Sequence, residues 1–171
     1  MIIWVIGLAG SGKTTLANII HAEFVKEKLP IVLLDGDYVR QLFGNDLGYT
    51  KIERLQNAQR IMSLCKLLDK NKINAICAIL SISEKNRQWC RKNFSNYLEI
   101  YLKCDINIIQ KRKNRDIYSD YDKGLIRNVV GKDIIFEEPR SSDHIINNDK
   151  SEKDFILEIN KVMDSIFKRS Q

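Results

Sequence analysis

The sequence predicts an α/β domain in which a five-stranded parallel sheet carries helices on both faces. Short apolar runs bounded by turn signals alternate with longer segments of helical period, which is the pattern of such a sheet. The length of 171 residues suits one domain, 1–171, and the 44% hydrophobic content is enough for a sizeable core. We therefore expect a single, doubly wound domain.

The strands correspond to five apolar runs, at residues 2–6, 31–35, 73–79, 97–102 and 144–147. Each run has the length of a buried strand and is bounded by turn signals. The segments between them predict helices at 13–28, 51–70, 84–95, 105–113 and 151–169.

Residues 112–142 interrupt this alternation. The segment is rich in charges and contains Gly124, Gly131 and Pro139. A connection of this length inside a compact domain is usually a functional lid or a disordered segment. We interpret it as a lid over the active site.

Charge and cysteine content narrow the possible function classes. The 28 Lys and Arg against 22 Asp and Glu give a net charge of +6, which suits an anionic partner or reflects a solvated basic surface. The four cysteines have no CxxC spacing and no neighbouring His, which argues against a zinc or thioredoxin-type site. No apolar run is long enough to cross a bilayer. We expect a cytoplasmic protein with no membrane partner.

The most specific local motif is "GLAGSGKT" at residues 7–14, which matches G-x-x-x-x-G-K-[ST] between a predicted strand and a predicted helix. In such a P-loop the backbone N–H groups and the helix N-terminus bind phosphate oxygens. Lys13 is expected to bridge the β- and γ-phosphates of ATP, and Thr14 to ligate Mg²⁺. The residues predicted to bind the nucleotide here are Gly7, Gly10, Ser11, Gly12, Lys13, Thr14 and Thr15.

A P-loop alone does not identify the phosphoryl acceptor, because kinases, GTP switches and ATPase motors all use one. A GTP switch requires Asn-Lys-x-Asp after a late strand, whereas the "NKIN" of residues 71–74 precedes the middle strand and ends in Asn. A motor would be longer. The sequence therefore favours a P-loop kinase fold.

Two carboxylates follow the second strand, in "LLDGDYVR". Ligands of an open parallel sheet bind beyond the carboxyl ends of its strands, so Asp35 and Asp37 are expected to face the P-loop. One can accept a proton from an attacking hydroxyl and the other can hold Mg²⁺; we place Asp35 with Thr14 at the metal. The alternative is a structural Asp-Gly-Asp turn in which Asp37 caps the short helix that follows.

Basic residues follow on the next helical segments. Arg54, Asn57 and Arg60 are three residues apart and share one helix face, and Arg40 precedes them. Guanidinium groups suit phosphate oxygens, although a solvated basic face would show the same spacing.

Taken in order and spacing, "GLAGSGKTTLA", "LDGDYVR", "DLGYTKIERLQNAQR", a Ser after the third strand and a lid ending "IRNVVGKD" resemble the adenylylsulfate kinases over residues 2–147. Those enzymes phosphorylate the ribose 3′-hydroxyl of adenylylsulfate with MgATP and are commonly dimers. The resemblance implies that Asp35 and Asp37 serve the 3′-hydroxyl and the metal. It also implies that Arg112 lies at the lid root beside the donor adenine.

On the acceptor side the resemblance implies stacking of Tyr49 on the base and a position for Ser81 near the transferred phosphate. The complete set of residues that it implies for acceptor binding is Asp37, Arg40, Tyr49, Arg54, Asn57, Ile79, Ser81, Asn128 and Val129.

The sequence departs from the family at three places. Phe-Ile-Ser-Pro is replaced by Ile-Leu-Ser-Ile at 79–82, and Asn-Phe-Thr-Gly by Asn-Val-Val-Gly at 128–131. The basic Lys-Lys-Ala-Arg segment of the lid becomes Ser-Asp-Tyr-Asp at 119–122. Val129 in place of Phe, opposite Tyr49, removes half of a purine clamp. An aromatic face against a base contributes about 1–3 kcal/mol.

Among enzymes similar to adenylylsulfate kinases, the sequence looks closest to the cytidine diphosphoramidate kinases of capsular phosphoramidate synthesis. We expect transfer of the ATP γ-phosphate to the 3′-hydroxyl of such a cytidine nucleotide. The alternatives are adenylylsulfate as the acceptor, and a nucleotide-dependent binding or regulatory protein. No nucleic-acid partner is expected, because the basic run "KRKNR" at 111–115 lacks interleaved aromatic residues. A homodimer is expected from the resemblance.

Overall fold

Five parallel strands lie in one sheet in the part of the chain that the structure describes, residues 1–112 and 117–170 of a computed structural model. They are β1 (Ile2–Ile6), β2 (Ile31–Asp35), β3 (Asn74–Ile79), β4 (Tyr97–Lys103) and β5 (His144–Asn147). Their order across the sheet is β2-β3-β1-β4-β5. The predicted fold class and all five predicted strands are confirmed.

Helices connect the strands and cover both faces of the sheet. They are α1 (Lys13–Lys26), α2 (Gly36–Leu42), α3 (Lys51–Lys70), α4 (Glu84–Asn93), α5 (Ile106–Lys111), α6 (Ile117–Asp122) and α7 (Glu152–Ser170). The helix α6 was not predicted. Most of the basic run at 111–115 falls in residues 113–116, outside the described residues. Among the described residues, no helix has both the length and the apolarity to span a bilayer.

The helix α2 corrects one alternative of the sequence analysis. Its N-cap is Asp35 and not Asp37: the Asp35 carboxylate accepts the backbone N–H of Asp37 at 2.9 Å. Asp37 lies in the first turn of α2, where its negative charge interacts favourably with the positive end of the helix dipole.

Alternate residues of β1 fill two apolar layers. Ile3 and Val5 pack with side chains of α1 and α7, while Ile2, Trp4 and Ile6 pack with side chains of α3 and α4. All five residues of β1 are fully buried, as expected for the central strand of a sheet covered on both sides. The P-loop therefore begins at the most deeply buried strand of the fold.

The strand register brings four connections to one edge of the sheet. Ile6 pairs with Ile79 of β3 and with Tyr101 of β4, and Asp35 pairs with Ala78. Since all strands are parallel, the loops after β1, β2, β3 and β5 meet at the carboxyl edge, where ligands of open α/β sheets bind.

The described part of the segment interpreted as a lid packs against the P-loop. Tyr118 of α6 donates its hydroxyl hydrogen to the Ala9 carbonyl at 3.3 Å. Val129 is buried in an apolar cluster with Ala9, Ile109 and Tyr118. A short bridge between Val130 and Ile134 closes the turn that follows. This packing places the segment over the same edge of the sheet as the P-loop.

Candidate active site

A cleft of about 700 Å³ opens at the carboxyl edge of the sheet. Its wall combines the P-loop, the turn after β2, the segment 129–130 and the start of α7. The predicted site residues that line it are Gly10, Gly12, Lys13, Thr14, Thr15, Asp35, Asp37, Tyr49, Arg54, Arg112 and Val129. Most of the residues predicted for the site therefore line one cleft.

The P-loop has a backbone that requires glycine. Gly10 and Gly12 have φ values of 77° and 99°, in the left-handed region. A Cβ on Gly12 would lie 2.8 Å from the side-chain nitrogen of Asn148, and one on Gly10 would lie 2.7 Å from Ile109. The loop is thus fixed by both conformation and close packing.

Two of the predicted P-loop residues lie behind the cleft surface. Gly7 packs so closely that a Cβ would lie 2.5 Å from the carbonyl oxygen of Leu102. Ser11 is fully buried, and its hydroxyl has no hydrogen-bond partner in the described part of the chain. The Ser11 hydroxyl lies against Gly7, where an added Cβ would be 2.7 Å from it.

Lys13, Thr14 and Asp35 meet at the floor of the cleft. The Lys13 ammonium donates to the Leu8 carbonyl at 2.7 Å, which holds the charge against the P-loop. The Thr14 hydroxyl donates to the Asp35 carboxylate at 3.0 Å. A hydroxyl and a carboxylate side by side are the hard oxygen donors that Mg²⁺ prefers, with phosphate oxygens completing its shell. The residues present therefore fit a nucleotide-bound Mg²⁺.

A smaller cavity of about 50 Å³ adjoins the cleft on the side of α2 and α3. Asp37, Tyr49 and Arg54 line both spaces. The predicted acceptor residues that line only the smaller cavity are Arg40, Asn57 and Ile79. Asp37 is thus placed between the P-loop side and the predicted acceptor side.

Two guanidinium groups approach the exposed ring of Tyr49. The Cζ atom of Arg40 is 4.7 Å from the ring centroid, and that of Arg54 is 5.2 Å from it. Arg40 is 5% exposed and donates to the carbonyls of Leu47 and Gly48, at 3.3 and 2.8 Å. Arg40 therefore shapes the loop that presents Tyr49, in addition to any contact with an anion.

Arg54 joins the acceptor loop to the lid segment. Its Nε donates to the Tyr49 carbonyl at 2.8 Å, and its Nη2 donates to the Asn128 carbonyl at 2.9 Å. Burial, assisted by the charge of Arg40, lowers the pKa of Arg54 from its ordinary value. One side chain on α3 thereby fixes the relative position of Tyr49 and the 128–129 turn.

Asp133 holds that turn from the other side. Its carboxylate accepts the backbone N–H groups of Asn128 at 2.7 Å and Val129 at 2.6 Å. Burial alone would raise the pKa of Asp133, but these hydrogen bonds outweigh it and keep the pKa below its ordinary value. Asn128 needs the support, because its φ of 63° is left-handed.

Asn57 contributes an unsatisfied acceptor to the smaller cavity. Its side-chain nitrogen donates to the Gly36 carbonyl at 3.0 Å, which ties α3 to the first turn of α2. Its Oδ1 atom is buried and has no partner among the described residues. A buried carbonyl left unpaired is costly, so this atom fits a site where a ligand supplies a donor.

Comparison with known proteins identifies the family of this chain. The sequence model described as adenylylsulphate kinase matches residues 1–147. The chain belongs to the adenylylsulfate kinase family. It is a phosphotransferase with an alcohol acceptor, in a family that uses ATP.

Individual relatives span nearly the whole chain. A probable adenylyl-sulfate kinase of Archaeoglobus fulgidus is 30% identical over 152 residues, which cover 89% of this chain and 98% of the relative. A cytidine diphosphoramidate kinase of Campylobacter jejuni subsp. jejuni serotype O:2 is 33% identical over 147 residues, 86% of this chain and 85% of the relative. The solved APS kinase of Mycobacterium tuberculosis, in complex with AMPPNP and APS, has the same fold. Its TM-score is 0.83 at 22% identity, and the match covers 98% of this chain and 95% of the other.

In this member of the adenylylsulfate kinase family, three residues that were predicted to bind a ligand with their side chains make other contacts. Ser81 lines neither cavity; it is 2% exposed, and its carbonyl accepts from buried Arg87 at 3.0 Å. Asn128 reaches the site through its backbone carbonyl, which accepts from Arg54. Arg60 does not need an anion, because Asp46 accepts two of its hydrogen bonds, at 2.7 and 2.6 Å.

Sequence reasoning missed the residues that follow β5. Asn148, Lys150 and Glu152 line the cleft close to the P-loop. Their position just beyond the carboxyl end of a parallel strand was a usable signal, since ligands bind at that edge. The sequence analysis applied this signal to the second strand only.

The contacts of Asp133 lead to a prediction about the lid segment. Asp133→Ala removes both acceptors of the Asn128 and Val129 N–H groups and should loosen the turn that Arg54 contacts. We expect the KM for the acceptor to rise roughly three- to thirtyfold, with a smaller change in the KM for ATP. Steady-state kinetics with each substrate varied in turn measures both values.

The matched control is Asp122→Ala, which removes another carboxylate of the same segment and its ion pair with Lys132 at 2.8 Å. Exposed ion pairs contribute little, so the acceptor KM of this variant should stay within about twofold. Equal effects of the two substitutions would show that Asp133 has no special role at the turn.

Proposed function

We propose that this kinase transfers the γ-phosphate of ATP to the 3′-hydroxyl of a cytidine nucleotide, cytidine diphosphoramidate. The Campylobacter jejuni relative named for that substrate supports the proposal at 33% identity. The observation that carries it is the lining of the two cavities: Tyr49 lines both, Val129 lines the larger and Ile79 lines the smaller. Val129, in place of the family's Phe, is 2% exposed and packed in an apolar cluster. An aromatic base on the acceptor side would meet the ring of Tyr49 and the aliphatic side chains of Ile61, Ile79 and Leu80.

The chain's own residues suit an in-line phosphoryl transfer. The P-loop amides and Lys13 would stabilise the charge on the transferring phosphate. Thr14 and Asp35 would hold Mg²⁺, which neutralises phosphate charge when it is bound. Asp37 lines both cavities, which supports a role for its carboxylate in accepting the proton of the acceptor hydroxyl.

Adenylylsulfate is the second candidate acceptor, supported by the match to the family as a whole and by the Archaeoglobus fulgidus relative. The nucleotide-dependent binding or regulatory protein is no longer favoured. A binding protein has no need of a carboxylate between the P-loop and an acceptor cavity.

A comparison of acceptors tests the base assignment. Loss of one aromatic stack should cost adenine about 1–3 kcal/mol, roughly 5- to 150-fold in affinity, and a pyrimidine less because it has a smaller stacking surface. We therefore expect a higher kcat/KM for cytidine diphosphoramidate than for adenylylsulfate at saturating MgATP. Val129→Phe should narrow the gap, since it restores an aromatic side chain at that position.

Leu125→Phe is the control, because Leu125 is 70% exposed and lines neither cavity. It should leave the ratio of the two kcat/KM values unchanged. A clear preference of the native enzyme for adenylylsulfate would contradict the cytidine proposal and restore the family's parent activity.

We also propose that the protein is a homodimer, and light scattering in solution would test this oligomeric state. We further propose that it is cytoplasmic. Its four cysteines are free and buried, as suits a reducing compartment. Burial raises the pKa of Cys90 to about 12, which keeps that thiol protonated and unreactive.

A further inference from the structure

Asn148, the residue after β5, connects three parts of the nucleotide side of the cleft. It is 7% exposed and lines the cleft. Its side-chain nitrogen donates to the carbonyl of Ser11 in the P-loop at 2.8 Å. Its own carbonyl and its Oδ1 atom both accept from Arg112, the latter at 3.3 Å. Its backbone N–H donates to the Lys103 carbonyl at 2.9 Å, which anchors it to β4.

The chemistry of these contacts calls for an amide. The Ser11 carbonyl can only accept and the Arg112 guanidinium can only donate, so the side chain between them must offer one donor and one acceptor. Asparagine does so in a single orientation. Aspartate would offer acceptors only, and an aliphatic side chain would offer neither.

Packing against the P-loop makes the contact tight. A Cβ on Gly12 would lie 2.8 Å from the Asn148 side-chain nitrogen. The absence of a side chain at Gly12 thus allows Asn148 to approach the loop backbone. Because Asn148 and Ser11 are both buried, this hydrogen bond has little competition from water.

We propose that Asn148 is a positioning residue for the donor nucleotide, which holds the P-loop and Arg112 in a single arrangement. The inference rests on the proposed use of this cleft for ATP. Arg112 lines the cleft, and its guanidinium is oriented by two oxygens of one residue. A planar guanidinium fixed in this way presents a defined face to the cleft and loses less entropy when a ligand binds.

The test measures nucleotide binding separately from acceptor chemistry. Isothermal titration calorimetry with an ATP analogue that has a non-hydrolysable β,γ bridge needs no acceptor, so it is independent of the cytidine proposal. Asn148→Ala should weaken binding of the analogue by about tenfold, the size expected for a lost buried hydrogen bond. In steady-state kinetics the KM for ATP should rise similarly, while the KM for the acceptor stays within about twofold.

Two further variants test the hydrogen bonds of Asn148 and whether it acts together with Arg112. Asn148→Asp keeps the shape and an acceptor for Arg112 but places a carboxylate against the Ser11 carbonyl, so it should weaken nucleotide binding at least as much as Asn148→Ala. Arg112→Ala perturbs the same contact from the other side. The effects of Asn148→Ala and Arg112→Ala should combine to less than their product, because the two residues act together.

Asn147→Ala is the matched control: it removes the same side chain one residue earlier, where Asn147 is exposed on β5 and lines neither cavity. It should leave nucleotide affinity unchanged. The inference is overturned if Asn148→Ala binds the analogue like the native enzyme, if it raises both KM values equally, or if the effects of Asn148→Ala and Arg112→Ala multiply independently.

Discussion

Replacement of Lys13 by alanine is expected to lower kcat by roughly 10²–10³-fold, the loss typical of removing one group that stabilises transition-state charge. Lys13 begins α1 and lines the cleft, with its ammonium against the P-loop. In the transition state this charge would contact the transferring phosphoryl group. The free energy of unfolding should change little, because the loop conformation is set by Gly10 and Gly12 and by close packing. Single-turnover kinetics and thermal unfolding measure the two effects.

The control for this substitution is Lys26→Ala at the other end of the same helix. Lys26 is exposed and pairs with the partly buried Glu23 three residues earlier, at 3.3 Å. Its removal should leave kcat within about twofold. Near-native turnover of Lys13→Ala would rule out the P-loop as the site of phosphoryl transfer.

Asp37→Asn and Asp35→Asn are both expected to lower kcat, but they should respond differently to added Mg²⁺. Asp37→Asn should lower kcat by about 10²–10⁴-fold, the range for loss of a general base, and excess Mg²⁺ should not rescue it. Asp35→Asn should also lower kcat, but raised Mg²⁺ should restore part of it, because Asp35 contacts Thr14 at the predicted metal site. Asparagine at position 35 keeps an oxygen that can accept the Asp37 N–H, so the cap of α2 should persist.

Titration of kcat against Mg²⁺ for the native enzyme and both variants gives the comparison. Asp46→Asn is a suitable control, since Asp46 pairs with Arg60 and lines neither cavity. If both variants keep native kcat, the Asp-Gly-Asp turn is structural. Rescue of Asp37→Asn by Mg²⁺ would instead indicate that Asp37 holds the metal and Asp35 is the general base.

The strands and the P-loop could be predicted because their signals are local. Each strand is rich in apolar residues, and in β1 all five residues are apolar and buried. The P-loop is a short motif whose glycine positions carry its backbone geometry. The helix α6 was missed because it has six residues inside a charged segment, with too few turns to show a helical period.

The sequence predicted site residues where the signal lies in residues adjacent along the chain. Asp35 and Asp37 follow a strand and could be placed from that fact alone. Asn148 acts on Ser11, which is 137 positions away, and no local pattern connects them. Arg60 had the right spacing for a phosphate site, but its partner, Asp46, lies in a loop whose path the sequence does not reveal.

The central place of β1 in the sheet also makes the packing of the P-loop depend on distant parts of the chain. Ile2 pairs with Ala75 on one side and with Tyr97 on the other. The earliest strand in sequence therefore acquires both neighbours only after the chain has folded back from far downstream, and such non-local parallel pairings form slowly. Until then the loop that follows β1 lacks its close packing partners Leu102, Ile109 and Asn148. ATP that binds this loop can thus stabilise the completed fold by mass action.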